Sequence, residues 1–295
     1  MARINIVHTT EYVYRNPVGL TRHRLMVRPD DSHDLRLHHA ELKIEPEPAS
    51  VHWKHDMFDN SICFLEWSET LRTERLSIVS TLDLTHHPDG QPLPQYSIEN
   101  AAEVFPFSYA QNEIPDLAHL VERQMPDPER TVDAWARRVV AEARSTKTLK
   151  VLEAMTRAIQ QEFRYGARHE EGTQTAAQTI ELGTGTCRDF AVLMMDALRS
   201  FGLATRFVTG YLYDDTSGTT RGGGSTHAWC GVYLPGAGWV EYDPTNGLVA
   251  GANLIRVGVT REASQAIPIS GGFVGNADDP TGMHVDVSVG AVPIR

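Results

Sequence analysis

Apolar and polar positions alternate along the first third of the chain. "INIVHTTEYVYR", "TRHRLMVRP", "DLRLHHAELKIEP" and "ERLSIVSTLDL" alternate or run apolar between clusters of proline, aspartate and asparagine, while "HDMFDNSICFLEW" reads as a turn at Asp59 and Asn60 leading into another strand. The pattern predicts antiparallel β structure, a sandwich or a curled sheet. After the breaker-rich stretches "HHPDGQPLPQ" and "QMPDPER" the period becomes helical. "RTVDAWARRVVAEA" carries Val132, Trp135, Val139 and Val140 near one face, and "TLKVLEAMTRAIQQEFRY" carries Leu149, Leu152, Met155, Ile159 and Phe163. The chain therefore reads as an α+β protein with a β-rich unit at residues 1–105 and a second unit at 106–295. No internal repeat is present, and "DDTSGTTRGGGS", residues 214–225, reads as a flexible loop.

A third helix is predicted in "GTGTCRDFAVLMMDALRSFG". Phe190, Leu193, Met194, Ala197, Leu198 and Phe201 form one helical stripe, and Gly202 supplies a stop. Three residues before Phe190 stands Cys187, so the thiol continues the inward stripe at the helix N-terminus. That end of a helix favours negative charge, and the thiolate is the nucleophilic form of cysteine. Gly183 and Gly185 leave the backbone uncrowded, so that a substrate carbonyl has room to approach the Cys187 amide. A small buried residue serving only the core fits the same spacing. Asp189 is expected to answer the free amides of the first turn, a structural role, and Arg188 to lie on the helix surface.

A nucleophile needs a base. "THAWCGVYL" and "WVEYDPTNG", joined by "PGAG", form a hairpin signal, with His227, Trp229, Gly231 and Tyr233 on one face of the first strand and Trp239, Glu241 and Asp243 on one face of the second. If Leu234 pairs with Trp239, Asp243 falls opposite Cys230 and away from His227. If Trp229 pairs with Asp243, His227 lies diagonal to the carboxylate at roughly 7 to 8 Å between backbones, which the side chains close. The second register needs an odd loop or a bulge at residues 235–238. In it, His227 takes the Cys187 proton while Asp243 holds the imidazole's tautomer. Asp243 in "DPTNG" also fits an ordinary turn in which aspartate bonds its local backbone. Trp229 is a candidate lining for a substrate groove, although core packing explains it equally well, and Tyr165 in "EFRYG" a candidate second donor to an oxyanion.

Composition narrows the classes. The 295 residues carry a net charge of -11, which argues against non-specific binding to nucleic acid or to an anionic membrane surface. No apolar run approaches the roughly 18 residues of a membrane span, and the opening residues lack a signal-peptide pattern. Three cysteines, Cys63, Cys187 and Cys230, form neither a disulfide framework nor a zinc motif, and a reducing cytoplasm is the expected location. Cys63 and Cys230 are expected to be inert. No spacing of histidines and carboxylates predicts a metal, and no cofactor is expected.

The segments "GTGTCRDFAVLMMDALRSFGLATRFVTGYL" and "HAWCGVYLPGAGWVEYDPTNG", in that order, resemble the core of the transglutaminase-like cysteine enzymes, in particular bacterial ones with a β-rich N-terminal domain. "YVYRNPV" and "DMFDN" are similar to that N-terminal domain, in which glycine is common where Asp59 stands, and "RVGVTREASQAIPISGGFVG" resembles the closing segment. The resemblance implies a papain-like α+β core with Cys187 as nucleophile, His227 as base and Asp243 as orienting acid. It implies acyl transfer from a peptide or carboxamide bond of a protein or peptide substrate, through a thioester, to water (protease or amidase) or to an amine (transglutaminase). The alternative is a non-catalytic peptide- or protein-binding module that retains the fold. Oligomeric state is left open.

Overall fold

In a computed structural model, residues 2–87, 98–166, 172–213, 226–249 and 253–292 are described. Six strands open the chain: β1 (Ala2–Leu20), β2 (His23–Leu25), β3 (Leu35–Glu45), β4 (Ser50–His55), β5 (Ser61–Glu66) and β6 (Thr73–His86). The middle of the chain holds α1 (Ile114–Val121), α2 (Thr131–Glu142), α3 (Thr148–Glu162), β7 (Arg164–Tyr165), α4 (Ala176–Leu182), β8 (Thr184–Gly185) and α5 (Cys187–Arg199). Strands return as β9 (Thr205–Leu212), β10 (Thr226–Leu234), β11 (Gly238–Asp243), β12 (Leu248–Val249) and β13 (Leu254–Thr260). The last are β14 (Ile269–Ser270), β15 (Phe273–Val274) and β16 (Pro280–Val292). The segment 214–225, read as a loop from its composition, lies outside the described residues.

The α+β class holds, with antiparallel sheets at both ends of the chain. The core sheet runs β12-β11-β10-β9-β13. Its face at Ala228, Cys230, Val232, Leu234, Val240 and Tyr242 shares one hydrophobic cluster with Phe190, Leu193, Met194, Ala197 and Leu198 of α5. The alternation of buried residues along β10 and β11 follows from the two-residue repeat of a strand, and the α5 stripe follows from 3.6 residues per turn.

Two sheets make the N-terminal unit, β15-β1-β6-β3 and β14-β2-β5-β4. Alternation in β1 sends Ile4 and Ile6 into the same cluster as α5, opposite Leu84 and Leu82 of β6. Farther along, Tyr14, Val18 and Leu20 pack with Leu25, Cys63 and Leu65 in a second cluster. β16 pairs with β1 from Arg3 opposite Val292 to Tyr14 opposite Pro280, so the last strand of the chain completes the first sheet. A division at residue 105 would count β14, β15 and β16 with the core, whereas their hydrogen bonds run to β2 and β1. Asp59 has φ 65°, a left-handed conformation in which glycine is the least strained residue and aspartate is among the tolerated ones. Among the described residues no helix is long and apolar enough to cross a membrane.

The two units are joined by polar contacts as well. Asn60 Nδ2 donates to the Val259 carbonyl and Asn60 Oδ1 accepts from the Val259 N–H, both at 2.8 Å. His8 of β1 is buried, with Nδ1 3.0 Å from the Tyr211 hydroxyl and Nε2 3.2 Å from Thr10 Oγ1. A neutral imidazole satisfies both, one ring nitrogen donating to one hydroxyl and the other accepting from the second. Burial pushes the imidazole down from its ordinary 6.5 to about 4.

Between those values the unfolded chain binds a proton that the folded chain refuses, so His8 lowers stability as pH falls through this window, by roughly 3 kcal/mol at its lower end. In urea melts at neutral pH and near pH 4.5, His8→Gln is expected to lose less stability on acidification than the native chain. Equal acid slopes would show that His8 does not carry this linkage.

Candidate active site

The start of α5 is fixed by a reciprocal cap. Thr186 Oγ1 accepts from the Asp189 N–H at 3.4 Å, and Asp189 Oδ2 accepts from the Thr186 N–H and hydroxyl, both at 2.8 Å. Asp189 Oδ1 accepts from the Gln174 N–H at 2.7 Å, tying the segment before α4 to the same carboxylate. The cap uses the third amide of the helix. Those of Cys187 and Arg188 remain in a first turn whose N–H groups have no intrahelical partner.

The two glycines before Cys187 have different structural reasons, a left-handed helix end at Gly183 and close packing at Gly185. Gly183 ends α4, and a β-carbon on Gly185 would stand 2.9 Å from Asp189 Cβ and 3.1 Å from Phe190 Cε1. Arg188 is not on the open helix surface as expected. Its guanidinium donates to the carbonyls of Ala263 at 2.5 Å and Ala266 at 3.2 Å and stacks over Phe207, 4.9 Å from the ring centroid.

β10 and β11 take the register that sets Cys230 opposite Tyr242 and Gly231 opposite Glu241. This is the second of the two registers above, closed by a three-residue loop at 235–237 with the Ala237 N–H donating to the Leu234 carbonyl at 3.0 Å. His227 Nε2 lies 2.9 Å from Asp243 Oδ2. Asp243 Oδ1 accepts from the backbone N–H of Thr245 at 2.9 Å and of Asn246 at 3.3 Å, and Asn246 Nδ2 donates to Oδ2 at 2.8 Å. The turn reading and the orienting reading of Asp243 are therefore one arrangement, each using a different oxygen.

Burial is graded across the three groups. Asp243 is 0 % exposed, His227 1 % and Cys187 7 %, so all three are buried and Cys187 is the least enclosed. Burial disfavours a charged imidazole, but the Asp243 carboxylate and its hydrogen bond outweigh it, Cys187 adds to them, and His227 is held above its ordinary range. The same pairing, with the bonds from Asn246 and Thr245, holds Asp243 below the usual carboxylate value against the opposing effect of burial. His227 Nδ1 meets no partner at full hydrogen-bond geometry among the described residues, while Cys187 is near enough to raise the imidazole by a hydrogen-bonding as well as a charge interaction.

A model of the transglutaminase-like superfamily matches residues 133–244, which include all three groups, and a model of the bacterial transglutaminase-like N-terminal region matches residues 4–85. The chain belongs to the transglutaminase-like superfamily. An uncharacterized protein of Mycobacterium tuberculosis H37Rv is 28 % identical over 307 residues, spanning 99 % of this chain and 93 % of the other. An uncharacterized protein of Mycobacterium leprae is 36 % identical over 107 residues, 35 % of this chain and 37 % of its own. Among solved structures, one described as a candidate cysteine protease from Cytophaga hutchinsonii superposes with a TM-score of 0.74, covering 100 % of this chain and 92 % of its own. At 19 % identity that likeness concerns the fold.

Two further side chains of this transglutaminase-like core were expected at the site. Tyr165 stands beside Gly185 in the parallel β7–β8 pairing, its ring 6.4 Å from that of Phe190. Burial, then the influence of Cys187 and Asp243, pushes its phenol up to about 12, which keeps it a neutral O–H donor at neutral pH. Trp229 does not line a groove. It is fully buried, its ring stacked against His227 at 6.0 Å and 30°, and its indole N–H donates to Glu241 Oε2 at 2.7 Å. Cys63 and Cys230 are buried free thiols, both pushed up by burial, Cys63 to about 11.

Sequence reasoning passed over Asn246, whose place in "DPTNG" signals only a turn, and Gln160 of α3, whose Nε2 donates to the Asn246 carbonyl at 2.9 Å. Asp189→Ala removes the acceptor for three donors at a fully buried position. It is expected to cost roughly 2–4 kcal/mol of stability in denaturant melts. A loss below about 0.5 kcal/mol would show that the cap does not anchor the helix.

Proposed function

We propose that the protein is a thiol enzyme that transfers an acyl group from a peptide or carboxamide bond of a protein or peptide substrate. The observation that carries the reading is the closed His227–Asp243 pair, with the Cys187 thiol interacting with the same imidazole. Family membership and the fold shared with the Cytophaga hutchinsonii protein support it.

The steps follow from these groups. Cys187 Sγ bonds to the carbonyl carbon as its proton passes to His227 Nδ1. The carbonyl oxygen takes up the negative charge, answered by the Cys187 N–H and the Tyr165 hydroxyl. His227 returns the proton to the departing nitrogen as the C–N bond breaks, leaving a thioester. Water or an amine then attacks, with His227 again taking a proton, and the thiol is released. Asp243 keeps the imidazole in the tautomer that presents a bare Nδ1 to the thiol, and stabilises the cation formed in each half-reaction. Free thiols fit a reducing cytoplasm as the place of action.

Alkylation read peptide by peptide is the first test. Cys187 is expected to react with iodoacetamide faster than Cys63 and Cys230 at neutral pH, His227→Ala is expected to remove that advantage, and Asp243→Asn to reduce it at least about tenfold. Indifference of Cys187 to His227 would overturn the reading in favour of a binding module. With glutamine-containing peptides, product masses with and without an added primary amine separate hydrolysis from transamidation, and His227→Ala is expected to lower either rate by about 100-fold or more.

A further inference from the structure

Asp243 fixes one end of the His227 imidazole, but a hydrogen bond at one nitrogen leaves the ring free to rock about that contact. The face of the ring is held by a different set of residues. We infer that Glu241 is a positioning residue for His227, acting through Trp229. The inference rests on the reading of His227 as the general base.

The hairpin register sets the parts in place. His227 and Trp229 share one face of β10, with Glu241 and Asp243 on the same face of β11. Trp229 stacks against the imidazole, and the indole N–H is its one polar handle, so the bond to Glu241 Oε2 sets the angle at which the indole meets the ring. The second oxygen of Glu241 is gripped from β13 and β9. Oε1 accepts from Arg256 Nη1 at 2.8 Å and lies 3.5 Å from Arg206 Nη2. Arg206 reaches it by lying across Gly231, its Cγ 2.9 Å from where a β-carbon would stand, and its guanidinium stacks on Trp239, 4.5 Å from the ring centroid. Glu241 cannot shift without moving these groups as well.

The charge works in the same direction as the geometry. An indole N–H bound to a carboxylate is polarised, and its electron-rich face then favours the protonated imidazole that forms when the thiol gives up its proton. Glu241 therefore supports His227 both as a fixed ring and as a cation. Arg256 also lies 3.7 Å from Asp34, so the N-terminal unit bears on the group that grips Glu241.

The test uses the full chain and compares Trp229→Phe, Glu241→Ala, Glu241→Gln and the Trp229→Phe/Glu241→Ala double variant, with folding checked by thermal melts. Two readouts are taken from about pH 5 to about pH 9, the rate of Cys187 alkylation by iodoacetamide and the titration of the His227 ring by nitrogen-15 NMR. Trp229→Phe keeps a stacked ring without the N–H, and Glu241→Ala removes the acceptor. Each is expected to slow Cys187 alkylation about tenfold or more at neutral pH and to lower the titration midpoint of His227, with the double variant no slower than either single one. Glu241→Gln keeps an acceptor for the indole and is expected to stay within about threefold of the native rate. Native rates and native His227 titrations in folded Trp229→Phe and Glu241→Ala would overturn the inference, as would independent, multiplying effects in the double variant. If Glu241→Ala fails to fold because two arginines lose their carboxylate, Trp229→Phe alone decides. Should Cys187 prove indifferent to His227, the thiol-enzyme reading fails, while the His227 titration still reports whether Glu241 and Trp229 hold the ring.

Discussion

A carboxylate removed from water persists only where its oxygens are answered, and Asp243 is fully buried. Its oxygens are shared among His227, the Asn246 amide and the backbone of the turn after β11. Each partner constrains a different part of the molecule. The turn must fold back within four residues to bring β12 beside β11, α3 must reach that turn through Gln160, and β10 must pair with β11 in the one register that carries His227 to the carboxylate. A shift of one residue in that hairpin would send the imidazole to the opposite face and strand a buried charge. The geometry of the site and the stability of the core sheet thus rest on the same pairing.

The two faces of the core sheet do separate work. One is apolar and packs on α5, which places the Cys187 end of the helix by burying the rest of it. The other carries a polar row of Arg206, Glu241 and Arg256, which lines a cavity of about 480 Å³ walled on the far side by Asp34, Phe58 and Asn60 of the N-terminal unit. Polar groups in such a layer hold position by direction as well as by volume, which suits the side of the sheet where imidazole orientation matters.

The parts of this arrangement differ in how far they can be read from residues alone. The α5 stripe and its cap are legible because helical period and capping are local, so Cys187 is found at the helix start from spacing. The His227–Asp243 contact is legible only as one of two registers, because the count of loop residues at 235–237 decides it and alternation does not. Asn246, Gln160 and Glu241 carry no local signal, since their partners lie on other elements and any polar residue satisfies the pattern at those places. Trp229 illustrates the opposite difficulty: an aromatic beside a candidate base fits a groove or a core, and only the packing of β9 and β13 around it separates the two. Met283, Val285, Val287 and Val289 alternate as a strand should, yet nothing in that alternation names β1 as the partner.

The pairing of β16 with β1 bears on the order in which the molecule is assembled. As the chain leaves the ribosome, β1, β6 and the residues of the site up to Asn246 all precede β16, so the long outer edge of β1 has no neighbour until β16 is synthesised. Throughout that interval the nascent protein exposes a row of unpaired amides and carbonyls over a dozen residues, a template for any extended segment nearby. The first sheet is therefore finished only after the core sheet, and β16 acts as an internal guard against strand exchange between neighbouring copies.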